Sequence, residues 1–166
     1  EEEVAREVGS SDIAYVQVEA VLAQCDLFLN EGAALQEKTQ KAQKSWAQKE
    51  QNLQAEAAQL QKKYQKGLIT TNDAQAQQQS IEKRVASYQS SAQKEAQALD
   101  EENYVFTNRA QDLLHRAVQE INGDKKYKLI INATALIDAD STLNITPAVL
   151  AKVNELYAAD KKAVKK

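Results

Sequence analysis

Methionine is absent from this 166-residue chain, and cysteine, proline, histidine and tryptophan occur once each. The lone Cys25 excludes a disulfide framework or a redox pair and reads as a small apolar residue. Four glycines, one proline and 5% aromatics describe long helices rather than a sheet-rich globule. No apolar run is long enough for a transmembrane helix. Glycine-rich phosphate loops, CxxC pairs, HExxH and GxSxG are all missing. His115 lies among Leu113, Leu114 and Arg116, with only Asp112 and Gln119 near it by helical spacing. One histidine and one aspartate make a poor metal set and supply no nucleophile. The reading is therefore not an enzyme, with no catalytic residue, metal or cofactor. A chain that starts at Glu1 without any methionine is expected to have lost an N-terminal segment, for which a cleaved secretory signal is one natural explanation.

What the sequence does contain is a heptad-like apolar series that runs twice. The second run is Ile81, Val85, Tyr88, Ala92, Glu95, Leu99, Glu102, Phe106, Ala110, Leu113 and Ala117. Its steps are mostly four and three, the spacing of a coiled-coil seam. The first run, Trp46, Glu50, Leu53, Ala57, Leu60 and Tyr64, has the same steps. Both stripes are thin and diluted with alanine and glutamate, so the helices pair along a narrow seam and surround no broad core. Trp46, Tyr64, Tyr88 and Phe106 read as seam anchors. Such a chain suits holding or spacing better than small-molecule catalysis.

Charge is unevenly spread. Net charge is −3, yet residues 35–95 hold ten cations against six acids, a surplus of +4 that leaves −7 for the rest. The cations are Lys38, Lys41, Lys44, Lys49, Lys62, Lys63, Lys66, Lys83, Arg84 and Lys94. They are the candidate surface for attracting acidic partners. Lipid headgroups are a further candidate for the same surface. The acidic remainder and few exposed aromatics argue against nucleic acid. Asp100-Glu101-Glu102 reads as a solvated face.

The order of elements follows from local signals. Residues 1–11 read as a flexible lead and 12–18 as a strand of branched and aromatic residues. A helix is expected from about Glu19 to Lys66, with Gly32 marking a kink. Lys66-Gly67 supplies a helix stop with a left-handed cap. Thr70 or Thr71 caps the next helix, which runs to about Ile121. The short turn predicts an antiparallel hairpin in which Tyr64 lies near Asn72 and Trp46 near 90–93. Residues 127–132 and 135–138 are two further strand candidates. Thr146 as N-cap with Pro147 behind it starts a final helix, and the tail frays from Asp160. Three short strands carrying Ile13, Tyr15, Val16, Val18, Leu129, Ile130, Ile131 and Leu136 leave more apolar surface than one chain covers. The strand end is therefore expected to oligomerise.

Several of these strings resemble the Skp (OmpH-type) periplasmic chaperone family. They are Asp12-Ile13-Ala14-Tyr15-Val16-Gln17-Val18 and Tyr127 to Leu136, followed by the loop from Asp140 to Asn144 and the segment Ile145-Thr146-Pro147-Ala148-Val149-Leu150. The resemblance implies an α+β fold, with a long antiparallel helical hairpin, a coiled-coil tentacle, on a small β body. It also implies that the eight strand residues build a homotrimer with a shared barrel. The expected division is 12–30 with 121–158 for the body, 31–120 for the tentacle and 159–166 for a basic tail. The implied activity is an ATP-independent holdase that keeps unfolded outer-membrane β-barrel proteins from aggregating in the periplasm. The family pattern is strongly basic overall whereas this chain is acidic, so the expected electrostatic capture is either weaker or confined to the tentacle. The resemblance also implies a membrane lipid or lipopolysaccharide surface as a further partner, with no lipid site carried onto particular residues. The competing reading is a structural or adaptor coiled coil that docks one specific envelope partner.

Overall fold

The structure, a computed structural model, describes residues 12–165. The expected lead, 1–11, lies outside the described residues. In chain order the elements are β1 (Ile13–Val16), α1 (Val18–Gln24), a π-helical turn (Phe28–Gly32), α2 (Ala33–Gln65), α3 (Thr71–Ile121), β2 (Leu129–Asn132) and α4 (Thr146–Val164). Short 3-10 turns occupy Ala133–Ala135 and Ser141–Leu143. Contacts divide the chain into two units. One takes in the described residues up to Ala33 and those from Val105 onward, and the other is Ala34–Tyr104. The first is a small β body, the second a helical hairpin. No helix among the described residues is long and apolar enough to cross a membrane.

In the body, β1 and β2 pair in parallel, with Ile13 opposite Leu129 and Tyr15 opposite Ile131. Alternation along β1 sends Ala14 and Val16 inward, at 0% and 2% exposure. Val16 joins a core with Val21, Cys25 and Leu27, the α3 residues Ala110, Leu113 and Ala117, and Val149, Val153 and Tyr157 of α4. Asn122 closes the end of α3 by clamping Tyr127, accepting from its N–H at 2.9 Å and donating to its carbonyl at 3.0 Å.

Four expectations are corrected here. The first helix is interrupted, because the backbone at Cys25 is extended (φ −70, ψ 152). The deformation expected at Gly32 is the π-helical turn that ends there. A side chain at Gly32 would bring its Cβ to 3.0 Å from the Phe106 ring, so glycine admits that close approach. The third strand does not form. The Asn132 side chain accepts from the Thr134 N–H, which turns 133–135 into a 3-10 helix, and Leu136 is half-buried beyond it. Thr146 does not cap α4. Its hydroxyl accepts from the Gln17 N–H at 2.9 Å, which ties the start of α4 to the end of β1. Finally, α4 continues to Val164 rather than fraying from Asp160. Arg116 holds Asp160 at 2.6 Å, and Lys161 sits over the Tyr157 ring.

In the hairpin, the turn forms as its local signals require. Gly67 adopts φ 67, and the N–H groups of Gly67 and Leu68 bond the carbonyls of Tyr64 and Lys63, a Schellman closure. Thr70 then accepts from the Asp73 N–H at 3.1 Å and caps α3. Ala42, Leu60, Ile81 and Leu99 are buried along the seam. Trp46 is half-buried and lies between Tyr88, whose hydroxyl donates to its carbonyl, and Glu95, which accepts its indole N–H at 2.7 Å. Two of the seam glutamates thus serve as polar partners, Glu95 for Trp46 and Glu102 for Lys38. Tyr64 is 51% exposed and anchors little.

Candidate functional site

The eight strand residues do not share one environment. Val16 belongs to the chain's own core. Ile13 and Leu129 are 45% and 50% exposed, and Tyr15, Val18, Ile130, Ile131 and Leu136 are half-buried. Strand β2 carries Leu129, Ile130 and Ile131 in succession, yet none of its residues is buried. Its partner β1 is held on one side by β2 and on the other by a bridge from Tyr15 to Asn144. Among the described residues, the far edge of β2 pairs with no strand. An uncovered Leu-Ile-Ile strand with an open edge is a surface that can accept another strand.

A shallow groove beside β2 is lined by Val18, Leu114, His115, Val118, Ile130 and Ile131. Leu114 and Val118 were not singled out from the sequence. The available signal was a second apolar stripe at 114, 118 and 121, flanking the seam at 110, 113 and 117. His115 is exposed at this groove. Asp112, its nearest carboxylate by helical spacing, bonds Arg116 at 3.0 Å. Among the described residues no His, Cys, Asp and Glu cluster could hold a metal ion.

The ten cations of the basic window lie on the hairpin surface, and three are paired. Lys38 meets Glu102, Lys41 meets Glu37 at 2.7 Å, and Arg84 grips Glu56 with both guanidinium nitrogens. The hydrogen bond from Arg84 holds the Glu56 carboxyl below its usual range, and Glu56 in turn raises Arg84. Lys41 lowers Glu37 in the same way. Lys44, Lys49, Lys62, Lys63, Lys66, Lys83 and Lys94 are exposed and pair with no described acid. They supply a solvated positive field that acts at range and is screened by salt.

Between the helices run two open grooves rather than an enclosed pocket. One face carries Gln54, Ala57, Gln61, Tyr64, Gln75 and Gln78, continuing through Leu53, Val85 and Tyr88. The other carries Glu56, Gln59, Lys63, Gln77, Ser80 and Arg84. These surfaces can bind but present no group positioned for chemistry.

Comparison with known proteins agrees with this architecture. The model of the family described as "Outer membrane protein (OmpH-like)" matches residues 12–153. A solved structure of a "putative outer membrane chaperone (OmpH-like)" from Caulobacter crescentus CB15 gives a TM-score of 0.73 at 16% identity. The match covers 87% of this chain and 85% of that one. At this identity the likeness shows the fold alone. No curated protein sequence matches the chain.

Proposed function

This chain belongs to the OmpH-like outer membrane protein family, and from that premise we propose that it is an ATP-independent holdase for unfolded outer-membrane β-barrel proteins. It works in the periplasm as a homotrimer. The open edge of β2, with Leu129 exposed and Ile130 and Ile131 half-buried, meets its counterparts in the other subunits. The three hairpins hold the client through many weak contacts, assisted by the field of the unpaired lysines. No cofactor and no nucleic acid takes part.

The observation that carries the reading is the hairpin itself. Its two helices share a seam too thin to enclose a ligand, and within Ala34–Tyr104 the faces turned away from the seam are exposed. Such a surface favours diffuse holding over the recognition of one small molecule. Apolar β2 without a buried residue supports self-association.

The test is native mass by light scattering, with and without a β-barrel client diluted from urea. A mass three times that of the chain, with the client kept soluble, is expected. Ile130→Asp, which places a charge on the half-buried strand with the open edge, should give monomers that lose the client. Because Ile130 also packs against the body's core, circular dichroism must show the fold retained, and the more exposed Leu129→Asp is expected to act in the same way. Val16 is unsuitable for this purpose, because it is buried in the subunit's own core and its loss would unfold the body. A monomeric Ile130→Asp variant that still protects clients fully would overturn the caging mechanism.

A further inference from the structure

The two faces of the hairpin differ in kind. On one, the groove lined by Gln54, Gln61, Gln75 and Gln78 has a floor of Ala57, Ala58, Leu60 and Ala74. It continues past Val85 and Ala86 to Gln89, with Glu50 and Glu82 as the only charged side chains. None of the ten cations lines either stretch. On the opposite face, Lys63, Arg84 and Glu56 line the groove. The division follows from the sequence, since 54 and 61 lie one heptad apart on one flank of the seam, while 56 and 63 lie one heptad apart on the other.

We propose that the glutamine-lined groove is the close-contact site for the client, and that it takes an extended, uncharged polypeptide segment through its main chain. The proposal rests on the holdase reading and assigns the contact to one face of the hairpin.

Three observations select this occupant. A glutamine amide carries both a donor and an acceptor, as does each residue of an extended main chain. Among the described residues, the side chains of Gln54, Gln61, Gln75 and Gln89 have no hydrogen-bond partner, so their amides are available. The alanine floor is shallow enough for a backbone to approach, and Tyr64 and Tyr88 at its ends add apolar area. The charge also discriminates. With glutamates and no lysine, the groove offers nothing to a phosphate, a lipid headgroup or a nucleic acid. From Glu50 to Tyr64 the helix rises roughly 21 Å, the length of about six extended residues. A transmembrane β-strand has polar and apolar residues in alternation with few charges, which fits a groove with a polar rim and an apolar floor. In this division of labour the lysines raise the encounter rate while the lysine-free, glutamine-lined face makes the contact.

The experiment compares two matched pairs of substitutions in the full chain. Gln61→Ala with Gln75→Ala strips amides from the neutral groove, and Gln59→Ala with Gln77→Ala does the same on the charged face. All four residues are exposed on helices, so alanine preserves the fold, which circular dichroism verifies. Client affinity is measured with a urea-unfolded β-barrel protein. The neutral-face pair is expected to weaken it about tenfold, and the charged-face pair to leave it unchanged. Equal effects of the two pairs, or none from the first, overturn the assignment while leaving the holdase reading intact. If the wild type fails to retain the client, the holdase reading falls. A neutral six-residue peptide of alternating threonine and valine then decides the groove by itself. Its binding should shift the side-chain amide resonances of Gln54, Gln61 and Gln75. No shift, or shifts confined to Gln59 and Gln77, overturns the proposal. A concentration-dependent rise in mass that Gln61→Ala with Gln75→Ala abolishes would instead make a second hairpin the occupant and overturn it equally.

Discussion

The body and the hairpin are both held by apolar burial, but the burial is arranged differently. In the body, Val21, Leu27, Val149 and Val153 are at most 1% exposed and belong to one contiguous cluster. In the hairpin, Ala42, Leu60, Ile81 and Leu99 are each 5–7% exposed, with Leu60 and Ile81 meeting in one layer and half-buried residues such as Ala57 and Val85 along the seam beside it. A contiguous core loses its stability as a whole when one member is removed. A seam of separate contacts opens locally, because each layer depends mainly on its own neighbours. The part of the molecule proposed to hold clients is thus the part that can yield segment by segment.

The largest expected effect probes the contiguous side of this comparison. Leu27→Ala removes a fully buried side chain and should destabilise the chain by about 4 kcal/mol, measured by urea denaturation. Its signature should be global, with hydrogen exchange rising in α1, α3 and α4 together. Leu60→Ala probes the other side. It should cost about 2 kcal/mol, with faster exchange confined to the hairpin layers around Glu56 and Arg84. A global loss of protection in the second variant would erase the distinction. A smaller effect is expected at the turn. Gly67 has φ 67 and open space around its Cβ position, so Gly67→Ala costs only backbone strain, about 1 kcal/mol, visible as a lowered Tm.

The smallest effect is electrostatic. Glu56 is held by Arg84 below its ordinary value of 4.5, so the folded pKa lies under the unfolded one. The stability from this pair is complete above the unfolded value and is lost as pH falls through the folded one. Hairpin protection, followed by hydrogen exchange, should therefore fall below about pH 4.5. Glu56→Gln should remove that part of the pH dependence while leaving the body unaffected. Because the pair is exposed, the change is small and should shrink further in high salt.

The hairpin was legible in the sequence to within a residue or two at the turn. Lys66-Gly67 stopped one helix, Thr70 began the next, and the two heptad series named Leu60, Ile81 and Leu99, all of which are buried in the hairpin seam. The second series also ran on to Ala110, Leu113 and Ala117, which are buried in the body's core. The body was less legible. Residues 135–138 carry strand-like side chains, yet the short-range bond from the Thr134 N–H to Asn132 diverts the chain before a strand can start. Thr146 reads as a cap, yet its hydroxyl is taken by Gln17, 129 positions away. The cations of the candidate surface could be named from composition. The flanks that Gln54 with Gln61 and Glu56 with Lys63 occupy follow from heptad spacing, but that Gln75 and Gln78 join the first and Arg84 the second became visible only with two helices in register.

What the sequence by itself determined are the features that depend on neighbours three, four or seven residues away: the helices, their seam and the capped turn between them. What only the tertiary structure decided is which strand residues are covered. Val16 and Ile130 are equally apolar, but Val16 packs against α3 and α4 while Ile130 stays half-open. Burial is set by contacts between segments more than a hundred residues apart, and no local pattern records them.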